Sequence, residues 1–109
     1  MIDWERVKEL RGEIGLDDFA EVAAMFLDEA DEVIARLSAD GGSMKVEADL
    51  HFLKGAALNL GFSALSGLCQ DGERRAAGGD VSVDLEAVRQ TYAGSKAAFA
   101  AQLATRFAA

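Results

Sequence analysis

Apolar side chains recur at helical spacing from Asp17 or Asp18 to Leu37, and no other feature constrains the fold as strongly. The apolar positions of this segment are Phe19, Val22, Ala23, Phe26, Ala30, Val33, Ile34 and Leu37. They follow the i, i+3, i+4, i+7 pattern of a helix with one buried face. That face has to pack on other elements. Since the chain has no proline and no strand-like alternation, we expect those elements to be helices as well.

Glycines and capping residues divide the chain on either side of this segment. Asp3 can cap a short first helix, which Gly12 and Gly15 then interrupt. The stretch ADGGSM (39–44) is rich in turn residues and is predicted to be a loop. Ser43 can cap the third helix, which follows this loop.

The third helix is expected to stop at Gly61, because glycine commonly follows the last helical residue. Ser63 can cap a fourth helix, and the last helix runs from about Asp84 to about Phe107. Since the connections are short, sequential helices should lie as antiparallel neighbours. The sequence therefore predicts an all-α fold, an antiparallel up-down four-helix bundle preceded by a short N-terminal helix, in a single domain over residues 1–109.

Charge and composition disfavour several classes of function. Eleven basic and nineteen acidic residues give a net charge of −8, and nucleic acid and anionic lipid both need clustered Lys and Arg. The single Cys69 excludes an internal disulfide and a cysteine-rich metal site, and it fits a reducing compartment. The N-terminal residues MIDWERVKEL contain no long apolar run, so we expect neither a signal peptide nor a membrane span. The prediction is a cytoplasmic protein with no metal site.

The only histidine of the chain, His51, has a lysine and a glycine beside it on the third helix. Lys54 at i+3 and Gly55 at i+4 lie one turn after the imidazole, and Ala48 lies one turn before it. A glycine inside a helix costs roughly 1 kcal/mol relative to alanine, and close approach of another molecule is one reason to keep it. Imidazole is largely neutral near pH 7 and is then nucleophilic. A nucleophilic nitrogen, a nearby cation and an open approach suit the acceptance of a phosphoryl group.

The residues HFLKGAALNLG (51–61) resemble the H-x-L-K-G-x-x-x-x-L-G signature of histidine-containing phosphotransfer (HPt) domains. The segment FAEVAAMFLDEADEVIARL (19–37) is similar to the second helix of that family. The segment FSALSGLCQDGE (62–73) is similar to the helix that follows the phosphoacceptor helix. The resemblance covers most of the chain. It implies an intermediate carrier in a two-component phosphorelay, monomeric and without a cofactor of its own.

The resemblance also implies a role for each residue of the cluster. His51 would accept a phosphoryl group at Nε2 from the aspartyl phosphate of one receiver domain and pass it to another receiver's aspartate. Lys54 would stabilise the negative charge of the phosphate, and Gly55 would let the receiver close over the ring. The partners would be receiver domains of response regulators or hybrid histidine kinases, which would supply magnesium and most of the catalytic groups. Self-phosphorylation from ATP is not expected, because the sequence has no glycine-rich phosphate loop.

Two positions depart from the family pattern. Gly72 stands where a larger apolar residue is usual, which predicts a looser or kinked fourth helix. Phe52 is larger than the usual residue after the histidine, and it can serve as a docking anchor or pack on the N-terminal helix. Together with Ala48 and Asn59, Phe52 is assigned to the expected docking face for the partner.

Two other functions remain open at this stage. A bundle of this kind can bind receivers as a phosphate-free scaffold or inhibitor, although the intact cluster around His51 argues against it. The dimerisation and phosphoacceptor domain of a sensor kinase also presents a histidine on a helix. In that domain an acidic residue follows the histidine and a proline comes soon after, whereas here Phe52 follows and the chain has no proline. A di-metal bundle would need histidines on two helices, which a single histidine cannot supply.

Overall fold

The computed structural model describes residues 2–80 and 82–106 and is built from α-helices. The helices are α1 (Trp4–Ile14), α2 (Leu16–Arg36), α3 (Ser43–Leu60), α4 (Ser63–Ala77) and α5 (Leu85–Arg106). One 3₁₀ turn, Ala39–Gly41, joins α2 to α3. Within the described ranges, no helix is both long enough and apolar enough to cross a membrane.

Contacts between α2 and α5 show the relative direction of these two helices. Arg89 near the start of α5 donates to the carbonyl oxygen of Leu37 at the end of α2. Further along α5, the Lys96 ammonium lies 2.8 Å from Asp31 in the middle of α2. The numbering of α5 rises as that of α2 falls, so these two helices are antiparallel. The predicted all-α, antiparallel four-helix bundle with a short helix before it is confirmed.

The short helix α1 closes one end of the bundle. The backbone N–H of Asp3 donates to the carbonyl oxygen of Gly61 at 2.6 Å, and the Trp4 ring stacks on Phe99 with centroids 6.0 Å apart. Phe62 is fully buried and meets Phe99 edge-on at 5.6 Å. The turn between α3 and α4 is therefore anchored both to α1 and to the aromatic core, which fixes how these two helices lie against each other.

The helix boundaries differ from the predictions at two serines. Ser43 and Ser63 are the first helical residues of α3 and α4, and the N-cap positions are Gly42 and Phe62. Gly42 has a φ of 87°, a left-handed conformation that glycine adopts at little cost. At the other boundary, the capping position is occupied by an aromatic ring that the core needs. Backbone conformation and burial therefore outweigh side-chain capping at both helix starts.

The predicted glycine stops are partly right. Gly12 lies inside α1 and does not interrupt it, since the helix continues to Ile14. Gly15 and Gly61 do end α1 and α3, with φ angles of 98° and 75°. A side chain at Gly61 would also collide with α1, because its Cβ would lie 2.5 Å from the carbonyl oxygen of Asp3. Phe107, the predicted end of the last helix, lies outside the described residues.

Gly72 does not break α4, contrary to the expectation of a looser or kinked helix. It lies inside the continuous helix Ser63–Ala77 and is buried. A Cβ at this position would lie 2.8 Å from Leu50 Cδ1 and 2.9 Å from Val83 Cγ1, closer than carbon atoms normally approach. The missing side chain therefore lets α4 pack tightly on α3.

Replacing Ser95 with alanine is expected to stabilise the bundle. The Ser95 side chain is fully buried in α5, and its hydroxyl has no hydrogen-bond partner among the described residues. A buried unpaired hydroxyl is unfavourable, and alanine is the better helix former. We expect the free energy of unfolding in urea to rise by about 1 kcal/mol. The control is Ser66→Ala, because the Ser66 hydroxyl donates to the Ser63 carbonyl oxygen at 3.0 Å. A loss of stability in Ser95→Ala would show that the hydroxyl is paired.

Candidate functional site

The site centres on the outer face of α3, where His51 follows a fully buried residue. Leu50 and Leu53 point into the core with no exposed surface. The helical rotation of 100° per residue then turns the next side chain toward solvent. The imidazole of His51 is accordingly 70% exposed, so a partner can reach the ring.

A carboxylate from α4, that of Glu73, joins the two functional side chains predicted on α3. Its Oε1 lies 2.7 Å from Nδ1 of His51, and its Oε2 lies 2.8 Å from Nζ of Lys54. Glu73 is only 19% exposed, so the bridge is shielded from most of the solvent. The structure therefore places His51 and Lys54 in one cluster, through a residue that the sequence analysis did not assign to the site.

The position of Glu73 had a signal in the sequence. His51 and Glu73 each lie eleven residues from Phe62, the residue at the turn between α3 and α4. In an antiparallel pair of helices, residues equidistant from the turn lie at the same level along the axis. The close approach permitted by Gly72 then brings the carboxylate within hydrogen-bond distance of the ring.

The hydrogen bond between Glu73 and Nδ1 determines which nitrogen of the neutral His51 ring carries the free lone pair. A carboxylate only accepts hydrogen bonds, so in the neutral imidazole it favours the tautomer with its hydrogen on Nδ1. The lone pair is then on Nε2, at the opposite side of the ring. None of the described residues hydrogen-bonds to Nε2. The arrangement thus presents an oriented nucleophilic nitrogen to the solvent.

The neighbours of Glu73 keep it ionised. The Lys54 ammonium beside the carboxylate lowers the pKa of Glu73, burial opposes this, and the hydrogen bond from His51 lowers it further. The net direction is below the ordinary glutamate value. Beneath this cluster, burial raises the pKa of the Cys69 thiol to about 12. The Cys69 thiol is therefore protonated at neutral pH and is a poor nucleophile.

The surface beside the ring is open on both sides of His51 along α3. A Cβ added at Gly55 would have no atom within 4 Å apart from its own helix, so the space above this position is free. On the other side, a groove of about 480 Å³ is lined by Met44, Glu47, Ala48, His51 and Glu73. A partner surface can therefore approach the ring from either direction.

The two remaining predicted docking residues have different surroundings. The Phe52 side chain is 39% exposed, so part of the ring is available to a partner. Asn59 is partly buried, donates to the Gly55 carbonyl oxygen at 3.0 Å and accepts from Arg6 at 3.1 Å. The Asn59 amide thus holds α1 against α3 close to the open position at Gly55.

The described residues contain no group of three or more His, Cys, Asp or Glu side chains arranged to hold a metal ion. What the cluster offers is one exposed imidazole nitrogen, one ammonium group and one ionised carboxylate. That set can accept an electrophile at Nε2 and orient the ring while it reacts.

Comparison with known protein families identifies the chain. The family model of the Hpt domain matches residues 21–107, which is nearly the whole chain. The chain belongs to the Hpt domain family. Hpt domains are phosphocarrier modules that interact with receiver domains in two-component phosphorelays. Neither the curated proteins nor the solved structures gave a significant match to this chain.

Protonating Glu73 is expected to weaken the fold of this Hpt domain at acid pH. A carboxyl whose pKa is lowered on folding adds stability above its unfolded pKa and loses it as the pH falls through the folded pKa. For Glu73 the loss starts near pH 4.5, the ordinary glutamate value, and continues below it. Glu73→Gln should therefore be less stable than wild type at pH 7, by about 1 kcal/mol.

Urea unfolding at a series of pH values from neutral to strongly acid measures this effect. The difference between wild type and Glu73→Gln should shrink steadily below pH 4.5. Asp31 and Asp80 also have lowered pKa values, but both are present in the two proteins and cancel in the difference. A difference that stays constant with pH would show that the Glu73 charge does not stabilise the fold.

Proposed function

We propose that this Hpt domain accepts a phosphoryl group on Nε2 of His51 from a receiver's aspartyl phosphate and passes it to the aspartate of another receiver. The observation that carries the proposal is the bond between Glu73 and Nδ1. It holds the hydrogen on the inner nitrogen and leaves the outer lone pair exposed. Phosphoryl transfer depends mainly on positioning and charge neutralisation. The carrier therefore needs to supply little more than a correctly oriented imidazole ring on a helix.

Lys54 and Gly55 have supporting roles in this proposal. Lys54 places a positive charge one turn from His51 and counters the charge of the bound phosphoryl group. Gly55 leaves room for the receiver's active site to close over the ring. Magnesium and the other catalytic groups come from the receiver, and the chain itself has no kinase activity toward ATP.

The proposed docking face runs along α3 on both sides of the histidine. Its members recur at i, i+4, i+7, i+11 and i+14, and they are Met44, Ala48, His51, Gly55 and Leu58. Met44 and Leu58 are 84% and 55% exposed, so this face offers apolar surface to a partner on both sides of the histidine. Phe52 borders this face, and Asn59 supports it through the backbone at Gly55. The partner is a receiver domain and not a nucleic acid, and the carrier acts as a monomer in the cytoplasm.

Phosphoryl transfer from a panel of phosphorylated receiver domains tests the proposal. The carrier is mixed with each receiver, and its intact mass and its binding are measured in parallel. The expected result is the gain of one phosphoryl group from at least one receiver. Binding without any gain in mass would contradict the carrier function and favour the phosphate-free scaffold or inhibitor.

A further inference from the structure

The groove beside the ring contains a second carboxylate, that of Glu47, which has no role in orienting the ring. Glu47 lies four residues before His51, so the two side chains are neighbours on one face of α3. Both line the same groove, together with Glu73. None of the described residues forms an ion pair with Glu47, whereas Glu73 is paired with Lys54 at 2.8 Å.

The acidic side chains that line the groove beside the reacting nitrogen are those of Glu47 and Glu73, and no lysine or arginine lines it. Among the described residues, the Lys54 ammonium is paired with Glu73, and no basic side chain is paired with Glu47. A phosphoryl group on His51 adds further negative charge beside this groove. Like charges on neighbouring side chains of one helix face repel each other, and salt screens this repulsion only partly at a protein surface.

This repulsion changes the free energy of the phosphorylated carrier, which is the product of the forward transfer step and the reactant of the reverse step. In the forward step, the lone pair of Nε2 attacks phosphorus, the bond to the aspartyl oxygen breaks, and the receiver's carboxylate leaves. The ring then carries the phosphoryl group on Nε2 and its original hydrogen on Nδ1, next to Glu73. In the reverse step, a receiver carboxylate oxygen attacks phosphorus and the electron pair of the N–P bond returns to Nε2. A negative charge in the groove disfavours the phosphorylated carrier relative to the free one.

We propose that Glu47 sets the balance of this exchange toward the receiver, so that the domain passes its phosphoryl group on and does not store it. The inference rests on the proposed function of His51. A single charge next to a phosphoryl group across a solvent-screened gap changes an equilibrium constant by about threefold to tenfold. Glu47 thereby acts as a tuning residue and takes no part in bond formation.

The test is the equilibrium constant for phosphoryl exchange between the carrier and one receiver, measured by intact mass from both directions. Glu47→Gln should shift the equilibrium toward the phosphorylated carrier by about threefold to tenfold. Glu47→Lys should shift it by about the square of that factor, and both shifts should shrink as salt is raised. Because an equilibrium constant does not depend on docking rates, a role of Glu47 in partner binding alone would leave it unchanged.

Glu21→Gln and Glu21→Lys are the matched controls, since Glu21 is exposed on α2. Glu21 is on a different helix from Glu47 and is not among the residues that line the groove beside His51. An unchanged equilibrium in the Glu47 variants, or an equal shift in the Glu21 variants, would overturn the inference. If wild type takes up no phosphoryl group from any receiver, the proposed function fails, which is a distinct result.

Discussion

Replacing His51 with glutamine is expected to abolish phosphoryl uptake while the bundle stays folded. The imidazole is 70% exposed, and surface substitutions of this kind usually change stability by less than about 0.5 kcal/mol. The glutamine amide can still donate to Glu73 at the position that Nδ1 occupies. It offers no nucleophilic nitrogen, however, because the amide lone pair is delocalised. Transfer from a phosphorylated receiver should therefore fall below detection, as read by intact mass.

The single histidine makes this result easy to assign. An N–P bond is labile in acid, unlike the phosphate esters of serine and threonine. Since the chain has one histidine, all acid-labile phosphate should disappear in His51→Gln. Circular dichroism and receiver binding should match wild type. Continued uptake of acid-labile phosphate by the folded variant would remove His51 from the mechanism.

Replacing Gly55 with leucine is expected to slow transfer by about a hundredfold or more without harming the fold. A new side chain meets nothing within 4 Å at this position, and leucine is the better helix former by roughly 0.8 kcal/mol. The variant should thus be more stable than wild type. In the complex, the leucine would occupy the space through which the receiver reaches His51. Displacing the reacting atoms by about 1 Å can cost a hundredfold in rate.

Two further variants separate steric blocking from other effects of the substitution. Gly12→Leu is the matched control, because Gly12 is also helical and also has no neighbour within 4 Å. Its stability should rise in the same way, and its transfer rate should stay at the wild-type value. Gly55→Ala should give an intermediate rate, measured by rapid mixing with a phosphorylated receiver. A wild-type rate in Gly55→Leu would refute the role of Gly55 as the cleared approach.

Sequence patterns predicted the helices well where the signal was repeated or physically strict. The apolar spacing over 19–37 predicted α2 correctly because many apolar positions lie on the same buried face. Gly61 gave the end of α3, since its left-handed φ of 75° strongly favours glycine. Ser43 and Ser63 were each misplaced by one residue. Capping preferences are weak and yield to a left-handed turn or to a core aromatic ring.

The sequence predicted only the part of the candidate site that lies on α3. Spacing along α3 placed Lys54 and Gly55 near His51, because residues three and four apart share a helical face. Glu73 comes from another helix, and its contact with the ring depends on how closely α3 and α4 approach. That approach is set by Gly72, which the sequence analysis interpreted as a weakness of α4. A contact between side chains of two helices depends on the distance between the helices, and the periodicity of a sequence does not give that distance.

We propose that the phosphoryl group resides on Nε2 of His51 because Glu73 holds the hydrogen on Nδ1. Nuclear magnetic resonance of nitrogen-labelled, phosphorylated protein measures this directly, since phosphorus couples to the ring nitrogen that carries it. We expect coupling to Nε2 and a retained hydrogen on Nδ1. Coupling to Nδ1, or a phosphoryl group on any other residue, would contradict it.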